Sequence, residues 1–100
     1  MQIDIVLPRL VGTRASADEI IESALGSSRN IDSVIILRAR AVLNAAPSFV
    51  DEFVKKLGVL GVSEIRLVGE SDELLEQFSA ASIRHGNIPR VESATPVLAG

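Results

Sequence analysis

Cysteine is absent from the chain, which removes disulfides, thiolate nucleophiles and cysteine-based zinc sites together. Tyrosine and tryptophan are missing as well, and three phenylalanines are all the aromatic surface available. Single-stranded nucleic acid needs aromatic platforms on which to stack, so it is not an expected partner. A duplex is not expected either: Lys and Arg number 10 against 13 Asp and Glu, scattered along the chain, for a net charge of -3, which leaves no basic footprint. Histidine occurs once, at His85, so a triad or metal centre would have to be built without a second imidazole or a thiol. No metal and no cofactor is expected. Long apolar runs are also lacking: none approaches about 18 residues, and Met1-Gln2-Ile3-Asp4-Ile5 has neither a basic n-region nor an apolar h-region. Export and membrane spanning are therefore not indicated, and a cytoplasmic protein is expected.

Aliphatic residues are what the chain has. With 47% hydrophobic content in 100 residues, there is enough for one core of Ile, Leu, Val and Ala and too little for two. Gln2 to Leu7 alternates, with Ile3, Ile5 and Leu7 on one face, and reads as a strand covered on one side and ended by Pro8. Leu10 to Arg14 is ambiguous between a short strand and a loop. Ser16-Ala17-Asp18-Glu19 has the form of a capping box and predicts a helix from Ser16, with Ile20, Ile21, Ala24 and Leu25 as its apolar stripe and Gly26 as its stop. The unbroken Val34-Ile35-Ile36-Leu37 within a strand from about Ser33 to Arg38 predicts cover on both faces.

A second helix from Phe49 to about Leu60 gathers Phe49, Val50, Phe53, Val54 and Leu57 on one side. Asp51 with Lys55 and Glu52 with Lys56 are i,i+4 pairs that predict a solvent-facing charged side. Glu64 to Val68 is a third strand, and Ser71-Asp72-Glu73 opens a third helix whose Leu74, Leu75, Phe78 and Ile83 face the core and which closes at His85-Gly86. The order β-α-β-α-β-α demands right-handed crossovers and a small, mostly parallel sheet with helices packed against it. Residues 1–86 form the α/β domain on this reading. Residues 87–100, which lose periodicity and contain Pro89 and Pro96, are a C-terminal tail or an edge strand, and truncation after Gly86 is expected to cost little.

The joint between the central strand and the second helix carries the functional expectation, because in open α/β sheets ligands and partners dock beyond the carboxyl ends of the strands. Ser48 sits there, either as a helix N-cap or as a switchable hydroxyl. Arg38 and Arg40, two apart, would point to one face and could meet a phosphate or a partner carboxylate near Ser48, or else form a solvated strand end or an ion pair with Asp51; Arg14, just before a helix, could likewise bind an anion or salt-bridge a neighbour. Ala45, Ala46 and Pro47 would let a partner's backbone approach closely. His85 beside Gly86 reads as a C-terminal cap. Asp51-Glu52 and Asp72-Glu73 are adjacent on their helices and point different ways, so neither is an acid–base pair, and enzymatic activity is not expected.

From about Leu10 to His85 these elements resemble the STAS-like domains, related to the bacterial anti-sigma-factor antagonists. The marks are Gly12-Thr13-Arg14, the strand Val34 to Leu37, Pro47-Ser48-Phe49-Val50-Asp51-Glu52-Phe53, and Ile65-Arg66-Leu67-Val68-Gly69 followed by Ser71. The resemblance implies a non-enzymatic signalling module in transcription regulation that switches partners with a kinase-like ATPase of the GHKL type. It matches Ser48 to the phosphoacceptor and sets the partner surface at Ala45, Ala46, Pro47, Ser48, Asp51 and Glu52. Two rivals come from the residues themselves. One is an anion- or nucleotide-binding domain using Arg14, Arg38, Arg40 and the Ser48 helix terminus; the other is a structural homo-oligomer joined through an open sheet edge or the tail.

Overall fold

A computed structural model of the chain describes residues 2–26 and 34–93. Its elements are β1 (Gln2–Val6), β2 (Leu10–Val11), α1 (Arg14–Leu25), β3 (Val34–Arg38), β4 (Asn44–Ala45), α2 (Pro47–Val59), β5 (Glu64–Val68), α3 (Asp72–Arg84) and β6 (Arg90–Ser93). The fold is α/β: a parallel four-stranded sheet in the order β1-β3-β5-β6, three helices packed against it, and a separate parallel ribbon of β2 and β4. The expected alternation of six elements is thus joined by two short strands and a sixth one. Pro89 follows a cis peptide bond. Residues 94–100 of the expected tail, and Ser33 at the expected start of the central strand, lie outside the described residues.

Strand order decides where the helices go. Each step along the main sheet goes the same way, and right-handed crossovers that never reverse place every helix on one face. α2 lies between its neighbours, packed against α1 on one side and α3 on the other. On the covered face Ile5, Ile35, Leu37, Ile65 and Leu67 are buried against Phe49, Phe53 and Phe78. The three rings cluster, Phe49 stacking on Phe53 with centroids 5.5 Å apart and Phe53 meeting Phe78 edge-on at 6.2 Å. Among the described residues no helix lies on the opposite face. Val34 and Ile36 are only half-buried there, and Val6 is 69% exposed. The two-sided cover expected of the central strand is therefore wrong; a strand in the middle of a one-layer coil needs only one apolar face, and its other residues rest beside charged neighbours.

Helix starts differ from expectation in two places. α1 begins at Arg14, because Thr13, extended at φ -137° and ψ 159°, accepts the Ser16 amide at 3.0 Å and takes the capping role assigned to Ser16. The buried stripe becomes Ala17, Ile21 and Leu25, and Ala24 is exposed. α2 begins at Pro47: a proline excludes the helical region for the residue before it, so Ala46 stays extended and Pro47 becomes the first helical residue. α3 starts as expected, with Ser71 accepting the Leu74 amide at 3.1 Å. Its Leu74 and Phe78 are buried as expected, but Ile83, also expected in the core, is 67% exposed, and Ala81 and Ser82 are buried in its place.

β6 makes residues 90–93 an integral edge. Val91 packs on the core, the Ser82 hydroxyl donates to the Pro89 carbonyl at 2.6 Å, and the whole strand pairs with β5. Removing everything after Gly86 would strip a ladder from the sheet, so the expected indifference to truncation does not follow from this architecture.

Candidate functional site

The carboxyl ends of the strands gather the joints that the sequence singled out. Leu43 donates its amide to the Arg9 carbonyl and Ala46 to the Val11 carbonyl, each at 2.9 Å, so the β2–β4 ribbon fixes the segment that leads into α2. From α3, Gln77 Nε2 donates to the Ala45 carbonyl at 3.2 Å. Gly69, at φ +74°, lies under the turn after β3: a Cβ there would come within 3.0 Å of the Arg40 Cβ and 3.2 Å of its Cα, which only glycine avoids.

Ser48 is half-exposed at the second position of α2, not its cap. The Phe49 and Val50 amides bond the Ala46 carbonyl, at 3.0 and 3.2 Å, and no side chain caps this start. Thr13 and Ser71 do cap the other two helices. Ala45 and Ala46 are half-buried and Pro47 is exposed, so small side chains line the entry to α2.

The charged side of α2 behaves differently from its i,i+4 reading. Asp51 Oδ1 meets His85 Nε2 at 3.0 Å and Arg84 Nε at 3.2 Å, while Arg14 Nη1 reaches Asp51 Oδ2 at 3.5 Å and Glu52 Oε1 at 3.3 Å. Lys56 pairs with Asp18 of α1 at 3.2 Å. The middle helix has neighbours on both flanks, and its carboxylates tie to them instead of to Lys55 and Lys56. Partial burial pushes the Asp51 carboxyl up, but the His85 hydrogen bond and the charges of His85 and Arg84 outweigh it and hold Asp51 below its ordinary value. His85 ends α3 as expected, its backbone at the cap and its ring on Asp51.

The three arginines read as anion-binding candidates are not free in the same way. Arg14 is the first residue of α1 and is held by Asp51 and Glu52. Arg38 lies on the uncovered sheet face and pairs with Asp4 at 3.3 Å, not with Asp51. Arg40 falls beyond the end of β3, so the shared strand face expected for Arg38 and Arg40 does not exist.

The sequence reading missed Glu64, 5% exposed at the start of β5. Arg90 Nη2 donates to Glu64 Oε1 at 2.7 Å and Arg66 Nε donates to Oε2. These two hydrogen bonds hold the Glu64 carboxyl below its ordinary value despite its burial. Glu64 and Arg66 are two apart on one strand, a same-face spacing visible in the sequence. Among the described residues no cluster of His, Asp and Glu could hold a metal ion, and no helix is long and apolar enough to cross a membrane. No protein-family model, curated protein or solved structure matches the chain.

Proposed function

We propose that the chain is a non-enzymatic regulatory module that binds a partner protein through the entry to α2, from Ala45 to Ser48. The observation that carries this reading is the open start of α2: uncapped, lined by alanines, with Pro47 exposed and the Ser48 hydroxyl half-exposed beside the helix amides. A phosphate on Ser48 would meet those amides and the positive end of the dipole. Asp51 and Glu52, one turn on, would repel it, but Arg14 and Arg84 already offset them. The sequence resemblance to STAS-like domains supports the same surface and names a GHKL-type ATPase as the partner class.

The anion-binding reading is weaker, since Arg14 and Arg38 are occupied by carboxylates of the chain itself. The test is recovery of partners from the source cell's lysate by the parent, Ser48→Ala and Ser48→Glu, with melting curves for all three. Parent and Ala forms should recover the same partner and a folded Glu form should lose it. Equal recovery by the Glu form would leave Ser48 as an ordinary helix residue.

A further inference from the structure

Strand register fixes what the helix-free side of the main sheet presents. Residues alternate between faces along a strand and register partners share a face, so beside the core-facing row of Ile3, Ile35, Ile65 and Val91 the next row, Asp4, Ile36, Arg66 and Glu92, points the other way. Flanking that row on the same face are Val34, Glu64 and Arg90 before it, and Val6, Arg38 and Val68 after it. Three carboxylates meet three guanidiniums there, which makes the face neutral and leaves the whole net charge of -3 elsewhere on the chain. Val34, Ile36 and Val68 are half-buried and Val6 is 69% exposed. Parallel sheets are as a rule covered on both faces, and among the described residues no helix does this here.

From this arrangement we infer that a second copy of the chain packs on this face, sheet against sheet, about a two-fold axis running along β3. β1 and β5 flank β3, so that axis lays β1 of one copy over β5 of the other and β3 over β3. Asp4 and Arg66 stand on either side of Ile36 in the register, and the rotation sets Asp4 opposite Arg66 twice. Val6 and Val68 flank Arg38 in the same way and come opposite each other twice, while Ile36 meets Ile36. Arg38 Nε holds Asp4 at Oδ1 and Arg66 donates its Nε to Glu64, which among the described residues leaves Asp4 Oδ2 and the Arg66 Nη groups to pair across the interface. Arg38 meets its own counterpart at the exposed end of β3, each neutralised by its Asp4. A neutral face offers a nucleic acid, an anionic bilayer or a strongly charged protein nothing to be drawn by, whereas a second copy necessarily brings the matching charges. Strands of four or five residues about 4.8 Å apart span about 300 Å² in plan. That is the low end for a specific interface, so the dimer is weak and concentration-dependent. The helices lie on the other side, which leaves the α2 entry accessible in both copies and makes the inference independent of that reading.

The test is sedimentation equilibrium of the full chain from about 10 μM to about 1 mM, the range of a weak complex. The mass should rise from 10.6 kDa toward twice that value. Asp4→Lys and Val6→Lys, both at exposed positions, should each weaken association at least about tenfold while staying folded in melting curves taken at the lowest concentration. Glu76→Lys, exposed on α3, makes the same change in net charge as Asp4→Lys and should leave the dimer as it is. Both bring the chain nearer to neutrality, which by itself favours association, so a loss with Asp4→Lys alone is local. Arg66→Glu should also be monomeric, and an equimolar mixture of it with Asp4→Lys should recover the dimer, because the new cation of one faces the new anion of the other and one native Asp4–Arg66 contact forms beside it. If Arg66→Glu, which sets a carboxylate beside Glu64, does not fold, the two exposed substitutions decide the question. A chain that stays monomeric at the highest concentration, a dimer that Asp4→Lys and Val6→Lys leave intact, or one that Glu76→Lys disrupts equally would overturn the inference.

Discussion

The two faces of the main sheet are made from the same strands and live under different physics. On the covered face Ile35, Leu37, Ile65 and Leu67 are sealed beneath three helices; on the other, Asp4 pairs with Arg38 across β1 and β3, and Glu64 is held by Arg66 and Arg90 across β5 and β6. All-parallel sheets are as a rule covered on both sides. Among the described residues no second helical layer covers that face; the buried Glu64 with its two arginines and the exposed Asp4–Arg38 pair lie there instead, so one face is held by packing and the other carries charge.

The largest expected effect lies on the covered side. Phe53→Ala removes the ring that touches both other phenylalanines and should cost about 3–5 kcal/mol in urea or thermal unfolding. Leu37→Ala should cost about 2–5 kcal/mol, whereas Ile36→Ala, one residue earlier and on the other face, should cost about 1 kcal/mol. Equal costs for these neighbours would erase the difference between the faces.

On the ionic face, Glu64→Gln should cost about 1–3 kcal/mol, because one of the two oxygens that accept from Arg66 and Arg90 becomes an NH2 donor and the other loses its charge. Acid should do the same work without a mutation. Glu64 and Asp51 have folded values below their unfolded ones, so their stabilisation is complete above the ordinary carboxylate range and is lost as pH falls through it, from about pH 5 downward. Urea midpoints across that range should fall more steeply for the parent than for Glu64→Gln.

Smaller effects probe how tightly the covered side is built. Gly58, inside α2, faces the connection to β6: a Cβ would lie 2.9 Å from the Ile88 carbonyl oxygen. Helix propensity favours Ala by about 1 kcal/mol, but backbone overlap costs about 1–3 kcal/mol; Gly58→Ala should therefore lower the melting temperature slightly. The smallest effect belongs to Ser48→Ala, a few tenths of a kcal/mol, against about 1 kcal/mol for Ser71→Ala, which loses a real cap.

Much of this was legible in the chain. The stripe Phe49, Val50, Phe53, Val54, Leu57 and the Ser71 cap are local patterns, and local patterns survive folding. Pro47 could also have been read further: a helix that admits proline at its first turn starts on it, which demotes Ser48 from cap to second residue. The pattern with Glu19 points to Ser16 alone as the cap of the first helix, but Thr13, three residues earlier, takes that role. Asp51 was misread for a different reason. Its i,i+4 lysine is near in sequence, but Arg14 of α1, Arg84 of α3 and the His85 ring just after it come nearer in space, and no local rule ranks tertiary partners against local ones. The β2–β4 ribbon, two residues a side, is too short for periodicity to announce.

The unidirectional strand order has a kinetic consequence. Each ladder of the main sheet joins strands roughly thirty residues apart, and none joins the first strand to the last, so loop closure is never required across the whole chain. The sheet can be assembled as a coil, each β–α turn laid on the previous one, with β3 and β5 offering the first template and the edge strands β1 and β6 adding independently at opposite ends. Destabilising either edge should then speed unfolding far more than it slows folding.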